Sequence, residues 1–230
     1  MNIIITGASR GIGKEVAIQL ANSGENRVIA IARDEKKLNT LEKEVKDPAR
    51  VIPIAFDLRN GDYELLSKEI RGHFSEIHVL INNAGILINK KISRLSADDF
   101  DQMMDVNVKS AFLLIQALIP LFEPNGHIVN ISSMGGVQGS AKFPGLSLYS
   151  ASKGALAILS ECLAEELKDY NISVNCLALG AAQTEMLAEA FPAYKAPLSA
   201  EQMASYIADF AINGQQFFNG KILPVSLSTP

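Results

Sequence analysis

Tyr149 and Lys153 stand four residues apart in the stretch LYSASKGALAIL, residues 148–159. On a helix, side chains at i and i+4 are neighbours. An ammonium held beside a phenol favours the phenolate, and so would draw a phenol pKa of about 10 down towards working pH. A phenol tuned in that way is a general acid or base. The same spacing also fits an amphipathic surface pair on a helix whose small residues, Ala151, Gly154 and Ala155, serve close packing. What decides between the two is the company the pair keeps elsewhere in the chain.

The N-terminal stretch IIITGASRGIGKEVAIQL, residues 3–20, runs a strand into Gly7, Gly11 and Gly13 and then into a helix. Glycines there permit a tight turn and a close backbone approach. A pyrophosphate can then rest on the unpaired N–H groups and positive dipole end of the helix. The spacing is G-x-x-x-G-x-G, and alone it fits a flexible connection. At the first strand–helix unit of an alternating chain it points to a dinucleotide. A site for NAD usually carries an acid at the end of the second strand, whereas an arginine accommodates the 2′-phosphate of NADP. Here the strand ends at Ala32, Arg33 follows, and Arg10 lies in the turn itself. NADP(H) is therefore favoured over NAD(H), with Asp34 and Glu35 partly offsetting Arg33.

Bringing residue 150 to a turn near residue 10 requires the chain to return repeatedly to one edge, and the pattern says how. Strand-like runs at 2–6, 27–32, 50–56, 78–82, 126–132, 171–179 and 221–227 alternate with amphipathic stretches at 14–24, 62–74, 98–118 and 149–170. Several strands are apolar at successive positions, as expected where both faces are covered. This alternation predicts an α/β fold: a doubly wound, Rossmann-type parallel sheet of about seven strands with helices on both faces, in a single domain over 1–230. Ser96 with Asp99 and Ser199 with Gln202 resemble capping boxes, and Gly24 is a helix stop. Residues 180–198, small and ending in Pro192 and Pro197, read as an irregular substrate lid.

Composition removes other classes. The chain has 230 residues, 48% hydrophobic, enough for one core. With 21 basic against 25 acidic residues, a net charge of −4 and no basic run, nucleic acid is not an expected partner. The longest apolar run begins at Ala111, is shorter than the roughly 20 residues of a membrane span, and meets Pro120. It reads as a buried helix, so no membrane partner is expected. The N-terminus has no secretory pattern. Cys162 and Cys176 suggest no disulfide framework and read as small buried hydrophobes in a reducing, cytoplasmic setting. His73, His78 and His127 show no ligand spacing, and no metal is expected.

Taken in order, TGASRGIG at 6–13, DL at 57–58, NNAG at 82–85, VN at 106–107, NISS at 130–133 and YSASK at 149–153 carry a likeness. The sequence resembles the short-chain dehydrogenase/reductase family, in its compact single-domain branch. The resemblance implies an enzyme that moves hydride between a nicotinamide and a small carbonyl or alcohol substrate. It implies that Gly7, Ser9, Arg10, Gly11, Ile12 and Gly13, with Arg33, hold the cofactor. Asp57 and Leu58 would meet the adenine, Asn83, Ala84 and Gly85 the adenosine ribose side, and Gly180 and Thr184 the nicotinamide or pyrophosphate. The implied catalytic set is Asn107, Ser133, Tyr149 and Lys153. Tyr149 would exchange the proton, Ser133 would stabilise the oxyanion, Lys153 would tune Tyr149 and hold the ribose, and Asn107 would place a relay water. For Asn107, inside an apolar helix, a purely structural hydrogen bond is the competing reading. Helices at about 98–118 and 149–168 would pair copies into a homodimer or homotetramer.

A non-catalytic NAD(P)-binding sensor on the same fold is the alternative; the presence of Tyr149 and Lys153 favours the enzyme. An epimerase or dehydratase of the extended relatives is disfavoured, since no substantial C-terminal substrate domain follows residue 180. The chain departs from the family pattern in reading Leu179-Gly180 where Pro-Gly is usual, in a long connection from Ser133 to Tyr149, and in lacking an acidic C-terminal tail. Leu87, Met134, Phe143, Met186 and Phe191 are candidate walls for a moderately apolar ketone or aldehyde. The row Leu156, Leu159, Leu163 and Leu167 fits either core or a subunit interface.

Overall fold

The computed structural model describes residues 1–227; the last three residues of the C-terminal tail lie outside it. In β1 (Asn2–Thr6), Ile3 and Ile5 enter the hydrophobic cluster on one face of the sheet and Ile4 the cluster on the other. This explains the unbroken isoleucine run: alternate side chains point to opposite faces, and both faces are covered. The chain continues through α1 (Gly11–Ala21), β2 (Arg27–Ala32), α2 (Glu35–Leu41), β3 (Val51–Ala55), α3 (Tyr63–His73) and β4 (Ile77–Asn82). Then come α4 (Ala97–Met104), α5 (Ser110–Leu118), β5 (Phe122–Ser133), α6 (Ser147–Glu166) and β6 (Ile172–Leu179). The last elements are β7 (Ala182–Gln183), α7 (Glu185–Ala190), β8 (Leu198–Ser199), α8 (Ala200–Asn213) and β9 (Ile222–Val225).

Seven strands form one parallel sheet in the order β3-β2-β1-β4-β5-β6-β9. Val16 and Leu20 of α1, Leu38 and Leu41 of α2, and Met203, Ile207 and Phe210 of α8 cover one face. Leu66 and Ile70 of α3, Leu114, Ile115 and Leu118 of α5, and Leu163 and Leu167 at the end of α6 cover the other. The order reverses between β1 and β4, so a crevice opens beyond the carboxyl ends of those strands, the usual ligand position in such sheets.

Several expectations change in detail. Residues 98–118 are not one regular helix: a π turn over Asp105–Lys109 separates α4 from α5. With the turn at Ile119–Leu121 they make a 25-residue helical segment, Ala97–Leu121, which by length and composition alone would pass as a membrane span. Here Leu114, Ile115 and Leu118 are core residues. Residues 180–198 are not an irregular loop, because β7 pairs with β8 and α7 lies between them. Of the leucine row, Leu156, Leu163 and Leu167 are buried in the core, and Leu159, partly buried, packs against it. Cys176 is buried, but Cys162 is exposed. Both expected capping boxes form, Ser96 with Asp99 and Ser199 with Gln202.

Candidate active site

At the end of β1 the backbone turns through Gly7 at φ +71° and Gly11 at φ +56°, a region that favours glycine. Thr6 accepts hydrogen bonds on Oγ1 from the backbone N–H groups of Asn83 (3.1 Å) and Ala84 (3.0 Å), joining the exits of β1 and β4. Asn83 Nδ2 donates to the carbonyls of Thr6 (3.0 Å) and Gly7 (3.4 Å). Asn83 thus holds the turn. A Cβ on Gly13 would lie 2.3 Å from Asn83 Nδ2 and 2.4 Å from the Gly7 carbonyl oxygen, so the start of α1 approaches the turn closely only because it carries no side chain. The product is a cradle of backbone N–H groups at the N-terminus of α1, with no acidic residue in its first turn. That is the chemistry a pyrophosphate requires.

At the exit of β5 and the first turns of α6 the polar residues converge. Ser133 Oγ accepts from Gly135 N (3.2 Å) and shares a hydrogen bond with the Tyr149 side chain. Lys153 is 3% exposed; its Nζ donates to the Ile131 carbonyl (2.7 Å) and lies 6.0 Å from the centre of the Tyr149 ring. Burial lowers the Lys153 pKa to about 8. For Tyr149 the expected direction is reversed. Burial of the phenol pushes its pKa up, opposed in part by the hydrogen bond from Ser133. Tyr149 therefore holds its proton at neutral pH.

Asn107 is 1% exposed and does not reach the cleft wall. Its Oδ1 accepts from Ile86 N (2.8 Å), and its Nδ2 donates to the Ile86 carbonyl (3.0 Å) and to Ser152 Oγ (2.9 Å). Ser152 Oγ in turn donates to the Tyr149 carbonyl (2.8 Å). A Cβ on Gly85 would stand 3.2 Å from Lys153 Nζ and 3.3 Å from Asn107 Oδ1, so Gly85 lets the β4 exit lie against both.

These pieces share one cleft of about 1040 Å³. Its wall includes every expected cofactor residue: Gly7, Ser9, Arg10, Gly11, Ile12, Gly13, Arg33, Asp57, Leu58, Asn83, Ala84, Gly85, Tyr149, Lys153, Gly180 and Thr184, with Ser133 beside them. The volume stands at the upper end of the roughly 300–1,000 Å³ range of small-molecule sites. At one end Arg10, Arg33 and Lys37 supply positive charge. The Asp34 carboxylate nearby is committed to capping α2, accepting from Lys37 N at 3.0 Å. Asp57 is held below the usual carboxylate range by hydrogen bonds from Asn60 and the Arg59 backbone, with Arg33 contributing. At the other end Leu87, Met134, Phe143, Met186 and Phe191 line the wall, and the Phe143 and Phe191 rings meet edge-on at 6.1 Å. Gly180 suits its place because a Cβ there would fall 2.3 Å from Ser226 Oγ.

Sequence reasoning passed over Thr6, Lys37, Ser132 and Ser152. Ser132 Oγ donates to the Lys153 carbonyl (2.7 Å). Thr6, Ser132 and Ser152 lie inside the quoted motifs, and only their three-dimensional partners give them roles.

Residues 1–195 match the family model described as short chain dehydrogenase. The chain is 39% identical over 188 residues to an L-xylulose reductase of Caenorhabditis elegans, covering 80% of this chain and 72% of that protein. It is 35% identical over 188 residues to a 3-oxoacyl-[acyl-carrier-protein] reductase of Thermotoga maritima, covering 80% and 74%. Among solved structures, a dehydrogenase/reductase from Sinorhizobium meliloti superposes with a TM-score of 0.86 at 28% identity, covering 97% of this chain and 92% of that one. A 3-ketoacyl-(acyl-carrier-protein) reductase from Brucella melitensis, complexed with NADH, gives 0.85 at 26% identity, covering 97% and 96%.

Proposed function

Because this chain belongs to the short-chain dehydrogenase/reductase family, whose members are nicotinamide-dependent oxidoreductases of carbonyl and CH–OH groups, we propose that it is an NADP(H)-dependent reductase of apolar carbonyl compounds. The observation that carries the reading is the meeting of Ser133, Tyr149 and Lys153 in the same cleft as the glycine cradle. Gly7, Gly11 and Gly13 fit the cofactor's pyrophosphate, and Arg10, Arg33 and Lys37, with Ala32 in place of an acid, fit a 2′-phosphate. When bound, the reduced nicotinamide supplies hydride.

The chain's own residues do the rest. Ser133 Oγ hydrogen-bonds the substrate oxygen as negative charge develops on it. Tyr149, kept protonated by burial, donates its proton to that oxygen. The Lys153 ammonium, 6.0 Å from the ring centre, steadies the phenolate left behind, and its N–H groups beyond the one given to Ile131 hold the ribose. Asn107 acts as a positioning residue through Ile86 and Ser152, with one lone pair of Oδ1 left for a relay water.

The apolar wall from Leu87 to Phe191 suits the acyl chain of a ketoacyl thioester better than the hydroxyls of a ketose. Exposed Phe100, Phe112 and Ile158, on α4, α5 and α6, are the surface through which copies would associate as a homodimer or homotetramer. The free thiols suit a cytoplasmic setting. The test is oxidation of NADPH and NADH against a panel holding ketoacyl thioesters, ketoses and simple ketones, with wild type beside Tyr149→Phe. Turnover should favour NADPH and fall at least ~100-fold in the variant, with cofactor affinity unchanged. Undiminished turnover would remove Tyr149 from the mechanism.

A further inference from the structure

Arg10 already has partners, and they lie on the lid. Its Nη1 is 3.1 Å from Glu185 Oε2 and 3.9 Å from Glu189 Oε1. Glu185 opens α7 and Glu189 follows one turn later, so both acids share the helix face turned to the glycine cradle. The glycine turn also lies against the cap of α7: a Cβ on Gly11 would sit 3.6 Å from Thr184 Cγ2, and Thr184 caps α7 through a 3.2 Å bond from Leu187 N. Arg10 and Glu185 also line a second cavity of about 390 Å³ beside the main cleft, where Lys37 and Thr40 of α2 face them. Lys14, in the same wall, is paired with Glu44 at 2.7 Å.

We propose that Glu185 and Glu189 compete with the 2′-phosphate of the dinucleotide for Arg10, so that the lid helix sets how strongly the protein prefers the phosphorylated cofactor. The inference rests on the cofactor reading given above. A dianionic phosphate drawn to Arg10 must displace Glu185 or sit beside its carboxylate, and both oppose binding. A 2′-hydroxyl carries no charge and leaves the ion pair intact. The side chains of Arg10 and Glu185 are 46% and 57% exposed. An exposed pair of this kind is weak, and the repulsion it adds is that of charges a few ångströms apart near water. Together these set the scale of the effect at roughly three- to tenfold in affinity. Glu185, the nearer acid, carries most of it.

The experiment is equilibrium titration of wild type, Glu185→Gln, Glu185→Gln/Glu189→Gln and Arg33→Ala with NADPH and NADH. Adenosine 2′,5′-bisphosphate and 5′-AMP serve as probes of the 2′-phosphate alone. The double variant should bind NADPH and the bisphosphate roughly three- to tenfold more tightly, with NADH and AMP unchanged. Unaltered NADPH affinity, or equal tightening of both dinucleotides, overturns the competition while an Arg33-dependent preference for NADPH leaves the cofactor reading standing. NADPH and NADH bound equally, with Arg33→Ala without effect, overturns the cofactor reading and the competition with it.

Discussion

Raising the pH from 8 to 10 should weaken catalysis and strengthen the fold at once, through the single side chain of Lys153. Its pKa falls from 10.5 in the unfolded chain to about 8 in the fold because burial penalises the ammonium. Below pH 8 both states hold the proton, and the fold bears the whole cost of the buried charge, about 3 kcal/mol at 1.36 kcal/mol per unit. Between about 8 and 10.5 the unfolded chain keeps a proton that the folded one has released, so stability rises with pH. Integrating the difference in bound protons gives a gain of about 2 kcal/mol between pH 8 and 10. The buried thiol of Cys176, pushed up to about 11, acts in the opposite sense from pH 9 upward. Urea unfolding is therefore measured in a Cys176→Ala background, with and without Lys153→Met. Over the same window kcat/KM should fall about fivefold by pH 9 and about fiftyfold by pH 10 relative to pH 8, since it reports the free enzyme. Stability that stays flat from pH 8 to 10, or that rises equally in Lys153→Met, would refute the assignment. So would kcat/KM constant to pH 10.

Gly13→Ala forces a methyl to within 2.3 Å of Asn83 Nδ2 and 2.4 Å of the Gly7 carbonyl oxygen. It should lower stability by about 1–3 kcal/mol and abolish dinucleotide binding, read by thermal melting and fluorescence titration; normal binding would contradict the cradle. His127 is fully buried, with Nδ1 against the Ala211 carbonyl (3.0 Å) and Nε2 against Asn175 Nδ2 (3.1 Å), and burial lowers its pKa to about 4. Its contribution is intact above pH 6.5 and should be lost as pH falls from 6.5 to about 4, by about 3 kcal/mol. Asp99, lowered to about 2 by Lys90, acts only below that window. The urea midpoint of wild type should drop between pH 6.5 and 4, and that of His127→Asn should stay nearly level there; equal slopes would exclude His127 as the cause.

The strands were legible because burial on both faces leaves an unmistakable mark: the isoleucines of β1 and the Val-Ile-Ala-Ile run of β2 have no other economical explanation. The caps were legible because Ser96 and Ser199 act on residues three positions away. The π turn was not, because DVNVKSAFLLIQAL keeps a helical pattern through it and nothing in residue types marks one extra backbone position. The short α2 was hidden by its charged face, Glu35 to Lys37. The direction of the Tyr149 shift was misjudged for a similar reason. Spacing shows that an ammonium is near, but it does not show how deeply the fold buries the phenol, and burial is what raises its pKa. Arg10 likewise shows its charge in the sequence and conceals its partner, 175 residues further on.

Tyr149, the proton donor of the proposed mechanism, is positioned from outside its own helix. A π turn widens the helix by a residue and resets its phase, so α5 can present Leu114, Ile115 and Leu118 to the sheet while Asn107, in the turn, points at Ile86. Asn107 spends both N–H groups, one on the Ile86 carbonyl and one on Ser152, and Ser152 passes the constraint to the Tyr149 carbonyl. Ser132 holds the next carbonyl of interest, that of Lys153, from β5. The first turns of α6 are thus tied to the exits of β4 and β5, as well as to the π turn. Loss of Ser152 would leave Tyr149 and Lys153 on the same helix face and still loosen the phenol relative to Ser133. The proposed chemistry needs the i, i+4 spacing of the pair. What fixes their placement over the cleft is a buried hydrogen-bond chain that no spacing rule contains.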